Sequence, residues 1–122
     1  MKIYTIGSKV IFIERYWSKS TKKGGEMFVI LVNYIKPLTE IDAKLEAHRR
    51  FLAEGYAAGY LLASGPRVPR TGGILLAQAP SIDEIKAYMS RDPFNEAGVA
   101  QYEVLEFNPM KSDPRIRAIL KY

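Results

Sequence analysis

From Met27 onward the hydrophobic period of the chain switches repeatedly between that of a strand and that of a helix, and the order of the switches limits the fold more than any other feature. "MFVILVNYI" (27–35) is dense in β-branched and aromatic residues and lies between Gly25 and Pro37, which predicts a buried strand. A helix is expected next, capped by Thr39 with Asp42 three residues on, and running to about Gly55. Its inward stripe reads Ile41, Leu45, His48, Leu52, with Phe51 beside it. "YAAGYLLAS" (56–64) predicts a second strand, "GPRVPRTGG" a loop, and "ILLAQA" (74–79) a third strand. Ser81 and Glu84 form the pattern of a capping box at the head of a second helix, which should stop at Asp92-Pro93 because the residue before proline disfavours the α region. A turn, "PFNEAG", precedes a fourth strand, "AQYEVLEF" (100–107).

The resulting order, β-α-β-β-α-β, is that of the ferredoxin-like α+β fold, a four-stranded antiparallel sheet with two helices on one face. The other face of such a sheet is apolar and open, so a partner sheet from a second copy is expected to cover it. Residues 27–110 form the domain in this reading, and 111–122 form a tail that is either a short terminal helix or a subunit contact.

Residues 1–26 stand apart. They carry six basic side chains against two acidic ones, which accounts for +4 of the formal charge of +5, while the remaining residues are nearly balanced with 12 basic and 11 acidic. The sequence pI of about 9.5 therefore gives little support to nucleic-acid binding by the main domain. A secretory signal needs a longer unbroken apolar stretch than "VIFI", interrupted here by Lys9, and a small-residue cleavage site, which is missing, and nothing approaches the roughly 20 apolar residues of a membrane span. The segment reads either as an added edge strand followed by a flexible "STKKGG" linker, or as translated leader before a start at Met27. With no cysteine there is no disulfide, thiolate metal site or cysteine nucleophile, and a reducing cytoplasmic setting fits best.

His48 is the one histidine of the chain and lies on an apolar helix face. A core histidine satisfied by one hydrogen bond would look the same. Burial favours the neutral ring, whose unprotonated nitrogen can take a proton near pH 7 if a carboxylate orients the other nitrogen. Asp92 could be that carboxylate, although Asp before Pro is also a plain helix cap. Ser64 ends the second strand without the strand-to-helix elbow of a nucleophile, which suits a hydrogen-bonding role. Gly72 and Gly73 could admit a substrate oxygen or simply serve the turn, and Arg67 and Arg70 could hold an anionic substrate or stand solvated. One histidine and no cysteine argue against a zinc site, and no phosphate-binding or dinucleotide motif is present, so no metal or cofactor is expected.

The blocks "AHRRFLAEG", "LLASGPRVPRTGGILLA" and "RDPFNEAGVAQYEVLEF" resemble, in this order, those of the YciI-like (YCII-related) proteins, from about Met27 to Phe107. The resemblance implies a dimeric α+β barrel and a pocket in each subunit built around a histidine and an aspartate that fall on His48 and Asp92. It also implies that alanine can stand at the position of Ser64, in keeping with a supporting role there. Acid/base elimination or isomerisation of a small cyclic or aromatic hydroxylated substrate is the expected activity. A non-enzymatic ligand-binding module and a purely structural dimerisation domain are the alternatives.

Overall fold

The computed structural model describes residues 3–6, 9–12 and 27–120. Strands β1 (Ile3–Ile6) and β2 (Lys9–Phe12) pair with each other as an antiparallel two-stranded sheet and do not extend the main one. The expected linker and the leader alternative both turn on residues 13–26, outside the described residues. The main sheet contains β3 (Met27–Tyr34), β4 (Leu61–Pro66), β5 (Gly72–Gln78) and β6 (Ala100–Phe107) in the order β4-β5-β3-β6, every pair antiparallel. Helix α1 (Leu38–Ala57) links β3 to β4. Helices α2 (Ile82–Met89) and α3 (Pro93–Glu96) link β5 to β6, and α4 (Pro114–Arg117) follows β6. This is the expected ferredoxin-like α+β arrangement.

Alternation decides which face of each strand is buried. On β3, Phe28, Ile30 and Val32 point toward the helices, where they join Ile41 and Phe51 of α1 and Ile85, Tyr88 and Met89 of α2 in one core. Val29 and Leu31 of β3, Ile74 and Leu76 of β5, and Leu105 and Phe107 of β6 lie on the opposite face by the same alternation. Ile74, Leu105 and Phe107 remain 44%, 45% and 42% exposed, so this face is an apolar surface left open in the single chain.

Several boundaries differ from expectation for local reasons. Helix α1 begins at Leu38, not after Thr39. Pro37 is the N-cap and makes no side-chain cap, while its carbonyl accepts the amides of Glu40 and Ile41. The helix continues through Gly55, because that glycine is there for space. A Cβ would come within 2.0 Å of the Tyr88 hydroxyl. Termination comes at Gly59, whose φ of +84° favours glycine. Strand β4 therefore starts at Leu61 instead of 56, and the loop shrinks to 67–71, closed by the Arg67 amide on the Gly72 carbonyl at 2.8 Å. Only half of the capping box forms. Ser81 accepts from the Glu84 amide, whereas the Glu84 carboxylate turns to the Tyr60 hydroxyl. The "PFNE" segment is the short helix α3, not a turn. In the tail, α4 forms and the chain folds back, with Leu120 buried and the Gln78 amide group donating to the Ile119 carbonyl at 3.3 Å. No helix among the described residues is long and apolar enough to cross a membrane.

Candidate functional site

Asp92 is where the site begins. It precedes Pro93 and is the N-cap of α3, so its Oδ1 accepts the Phe94 amide hydrogen at 3.0 Å. The same oxygen lies 2.8 Å from Nδ1 of His48, which α1 carries across from the opposite side. The second oxygen, Oδ2, accepts the hydroxyl hydrogen of Tyr102 from β6. Asp92 is fully buried, and three donors from three elements converge on its two oxygens. The cap and the histidine partner are thus one and the same carboxylate.

A carboxylate facing Nδ1 can only accept, so the hydrogen-bond network assigns the hydrogen to Nδ1 and leaves the lone pair of the neutral ring on Nε2. Nε2 has no protein partner among the described residues. Phe94 fixes the plane of the imidazole, with the two rings stacked at 4.0 Å and 8°. Tyr34 meets Phe94 edge-on at 6.0 Å. The ring of His48 lines a cavity of about 110 Å³ bounded by Tyr34 and Val32 of β3, Ser64 and Pro66 of β4, and Gly73 and Leu75 of β5, with Phe94 closing one side. The walls are mostly apolar, and the unpartnered imidazole nitrogen is a strong acceptor among them.

Burial first, and the Asp92 carboxylate second, hold the Tyr102 phenol well above its ordinary range, so it stays a hydrogen donor. Tyr88, packed nearby on α2, is raised above its ordinary range by the same two causes.

The structure brings His48, Asp92, Ser64 and Gly73 together. Ser64 lines the cavity, but its hydroxyl pairs with the Tyr56 phenol at 2.7 Å and not with His48, so no serine nucleophile is assembled. Arg67 and Arg70 do not line the cavity. Arg67 donates to the Asn33 side-chain carbonyl at 2.8 Å, and Arg70 binds Asp42 at the exposed rim. Gly72 lies against β3, where a Cβ would sit 1.9 Å from the Val32 carbonyl oxygen, so it serves the strand contact. Sequence reasoning missed Tyr34, Phe94 and Tyr102. The inward alternation of β3 and β6 carried a signal for both tyrosines. Among the described residues no group of three or more His, Cys, Asp or Glu side chains gathers as a metal site.

Comparison with known proteins places this geometry in context. The family model described as the YCII-related domain matches residues 27–108. Among solved structures, the chain is similar to the 5-chloro-2-hydroxyhydroquinone dehydrochlorinase from Burkholderia phenoliruptrix AC1100 in complex with 2,5-dihydroxybenzoquinone. The TM-score is 0.58 and the identity 25%, over 66% of this chain and 92% of that one. No curated protein matches the chain.

Proposed function

The chain belongs to the YCII-related domain family, and from that premise we propose that it is a homodimeric enzyme that removes HX from a small hydroxylated six-membered ring, X being an anionic leaving group. One observation carries the reading: the His48 ring lines a mostly apolar cavity, its Nδ1 is tied to a buried carboxylate, and its Nε2 has no protein partner among the described residues. That is the arrangement a general base requires. The dehydrochlorination named for the similar solved structure is a reaction of this class, on a ring of this size. A closed cavity on the order of 150 Å³ holds benzene; at about 110 Å³ this one is smaller, so a single substituted ring would extend out through its mouth.

In the proposed reaction Nε2 takes a proton from a ring hydroxyl. The ring reacts from its keto tautomer, in which a hydrogen from another hydroxyl has moved to the carbon bearing X; the O–H electron pair then becomes a C=O bond, the adjoining ring double bond shifts one place and the C–X bond breaks, so that X leaves with its electrons. The proton on the imidazolium then passes to X or to solvent, and the sum is loss of HX with no net oxidation and no outside reductant. Asp92 stabilises the imidazolium that forms in between. Phe94 and Tyr34 hold the ring, and Ser64, anchored by Tyr56, offers a hydrogen bond to a second ring oxygen.

The lone imidazole makes the test direct. Addition of 2,5-dihydroxybenzoquinone should perturb the ¹⁵N resonance of His48 Nε2, and chlorinated hydroxyhydroquinones should release chloride in the presence of the protein. Binding without release would reduce the site to a ligand pocket. Neither binding nor release across the panel would remove the enzymatic reading.

The homodimer is proposed from the open sheet face, which a second copy would cover. Sedimentation is expected to give about twice the chain mass of 13.8 kDa. Leu31→Lys, central on that face, should return the monomer; a wild-type monomer would count against the assembly.

A further inference from the structure

The Asp92 carboxylate has a third donor that neither the cap nor the imidazole accounts for. Tyr102 reaches it from β6, where it stands opposite Val32 of β3 in the register. The side chain is partly buried, and its hydroxyl is aimed at the one oxygen of Asp92 that His48 does not use. We propose that Tyr102 is a positioning residue that sets how tightly His48 binds its proton, by drawing off part of the negative charge of Asp92. The proposal rests on the acid/base role given to His48 above.

Two donors on opposite oxygens of one carboxylate compete for its charge. The imidazolium needs that charge; the phenol, fixed as a donor, takes a share of it permanently. Tyr102 cannot serve as the proton source itself, because burial and the carboxylate keep its hydrogen in place. Its effect is therefore a steady weakening of the base, together with a fixed orientation for Asp92. A weaker base gives up its proton more readily once the leaving group has gone, which favours turnover over a trapped imidazolium.

The groups that face this line are few. Tyr34 acts on Tyr102 from β3. Tyr88 on α2 feels Asp92, and Arg91, just beyond α2, stands over the Tyr88 ring at 5.9 Å and draws its phenol down. Arg91 acts on Tyr88 and makes none of the three hydrogen bonds to Asp92 described above, which come from His48, Phe94 and Tyr102.

The experiment needs no substrate. The protonation of the single histidine is followed by NMR in wild type, Tyr102→Phe, Asp92→Asn and the double variant. Tyr102→Phe should bind the imidazole proton roughly tenfold more tightly, since a hydrogen bond to a charged group contributes about 1.5–3 kcal/mol and tenfold corresponds to about 1.4 kcal/mol. In the Asp92→Asn background the same change should have no effect. Proton binding that is unchanged or weaker in Tyr102→Phe would overturn the proposal, the weaker case meaning that Tyr102 merely holds the strand. Should Tyr102→Phe fail to fold, 3-fluorotyrosine at position 102 keeps the hydroxyl as a stronger donor and should loosen proton binding; no change would again overturn it. Absence of turnover on every substrate, with the tenfold effect present, would sink the elimination reading and leave the role of Tyr102 intact.

Discussion

His48→Asn is expected to lower turnover by about 10³-fold, within the range that a positioned general base contributes. Asparagine can still offer a hydrogen toward Asp92, but it places no basic nitrogen at the cavity wall. The fold should survive. The variant loses the stacked contact with Phe94, which is worth roughly 0.5–1.5 kcal/mol, and it leaves a small void where the ring was. A thermal melt and a chloride-release assay on the same preparation separate the two effects. A rate near that of wild type would show that proton transfer runs through another group. A protein that melts far earlier, with no activity in wild type to lose, would return His48 to the core.

Replacing Asp92 should do the greatest damage to stability, and the choice of replacement decides what is measured. Asp92→Ala removes the acceptor from three buried donors at once: Nδ1 of His48, the Phe94 amide and the Tyr102 hydroxyl. Each buried group left without a partner costs about 1–3 kcal/mol, and loss of a helix cap typically costs ~1 kcal/mol. With partial relaxation, a loss of about 4 kcal/mol is expected, a large fraction of the stability of a domain this size. Asp92→Asn is milder. Its carbonyl can still accept from one side, but its NH₂ then faces a donor on the other. If the NH₂ faces His48, the ring must turn its lone pair to Nδ1 and carry its hydrogen on Nε2, pointing it at the substrate. Turnover should then fall by about 10³–10⁴-fold while the melt moves far less than in Asp92→Ala. Denaturant unfolding of both variants, paired with rates, checks the contrast. Equal stability of Asp92→Ala and wild type would mean that water enters and satisfies the three donors.

The element order was legible because each switch of period was bounded by proline or glycine. The stripe Ile41, Leu45, His48, Leu52 placed the histidine inward without any structure, and all four either bury or pack on the core. The "DP" step likewise announced a cap. What stayed hidden depends on register and contact between distant strands. Tyr102 reads as one more inward aromatic of a half-buried strand, and nothing local says that its hydroxyl meets a carboxylate ten residues earlier. Gly55 reads as a helix stop, yet its reason is the Tyr88 hydroxyl 33 positions on. Gly72 belongs to the same class, since its cause is the Val32 carbonyl across the sheet. Arg67 and Arg70 looked free because Asn33 and Asp42 lie far from them in sequence.

One backbone group ties these levels together. The Phe94 amide donates to the same carboxylate oxygen that holds His48, and the Phe94 ring supports the imidazole from below. Its hydrogen can therefore exchange with solvent deuterium only when the cap opens, which is also when the histidine loses its partner. The exchange rate of that single amide reads the fraction of time the site is disassembled, in a resting protein and without any substrate. A ligand that settles in the cavity should slow it in proportion to its occupancy, so one backbone resonance doubles as a gauge of how often His48 and Asp92 are held together at all.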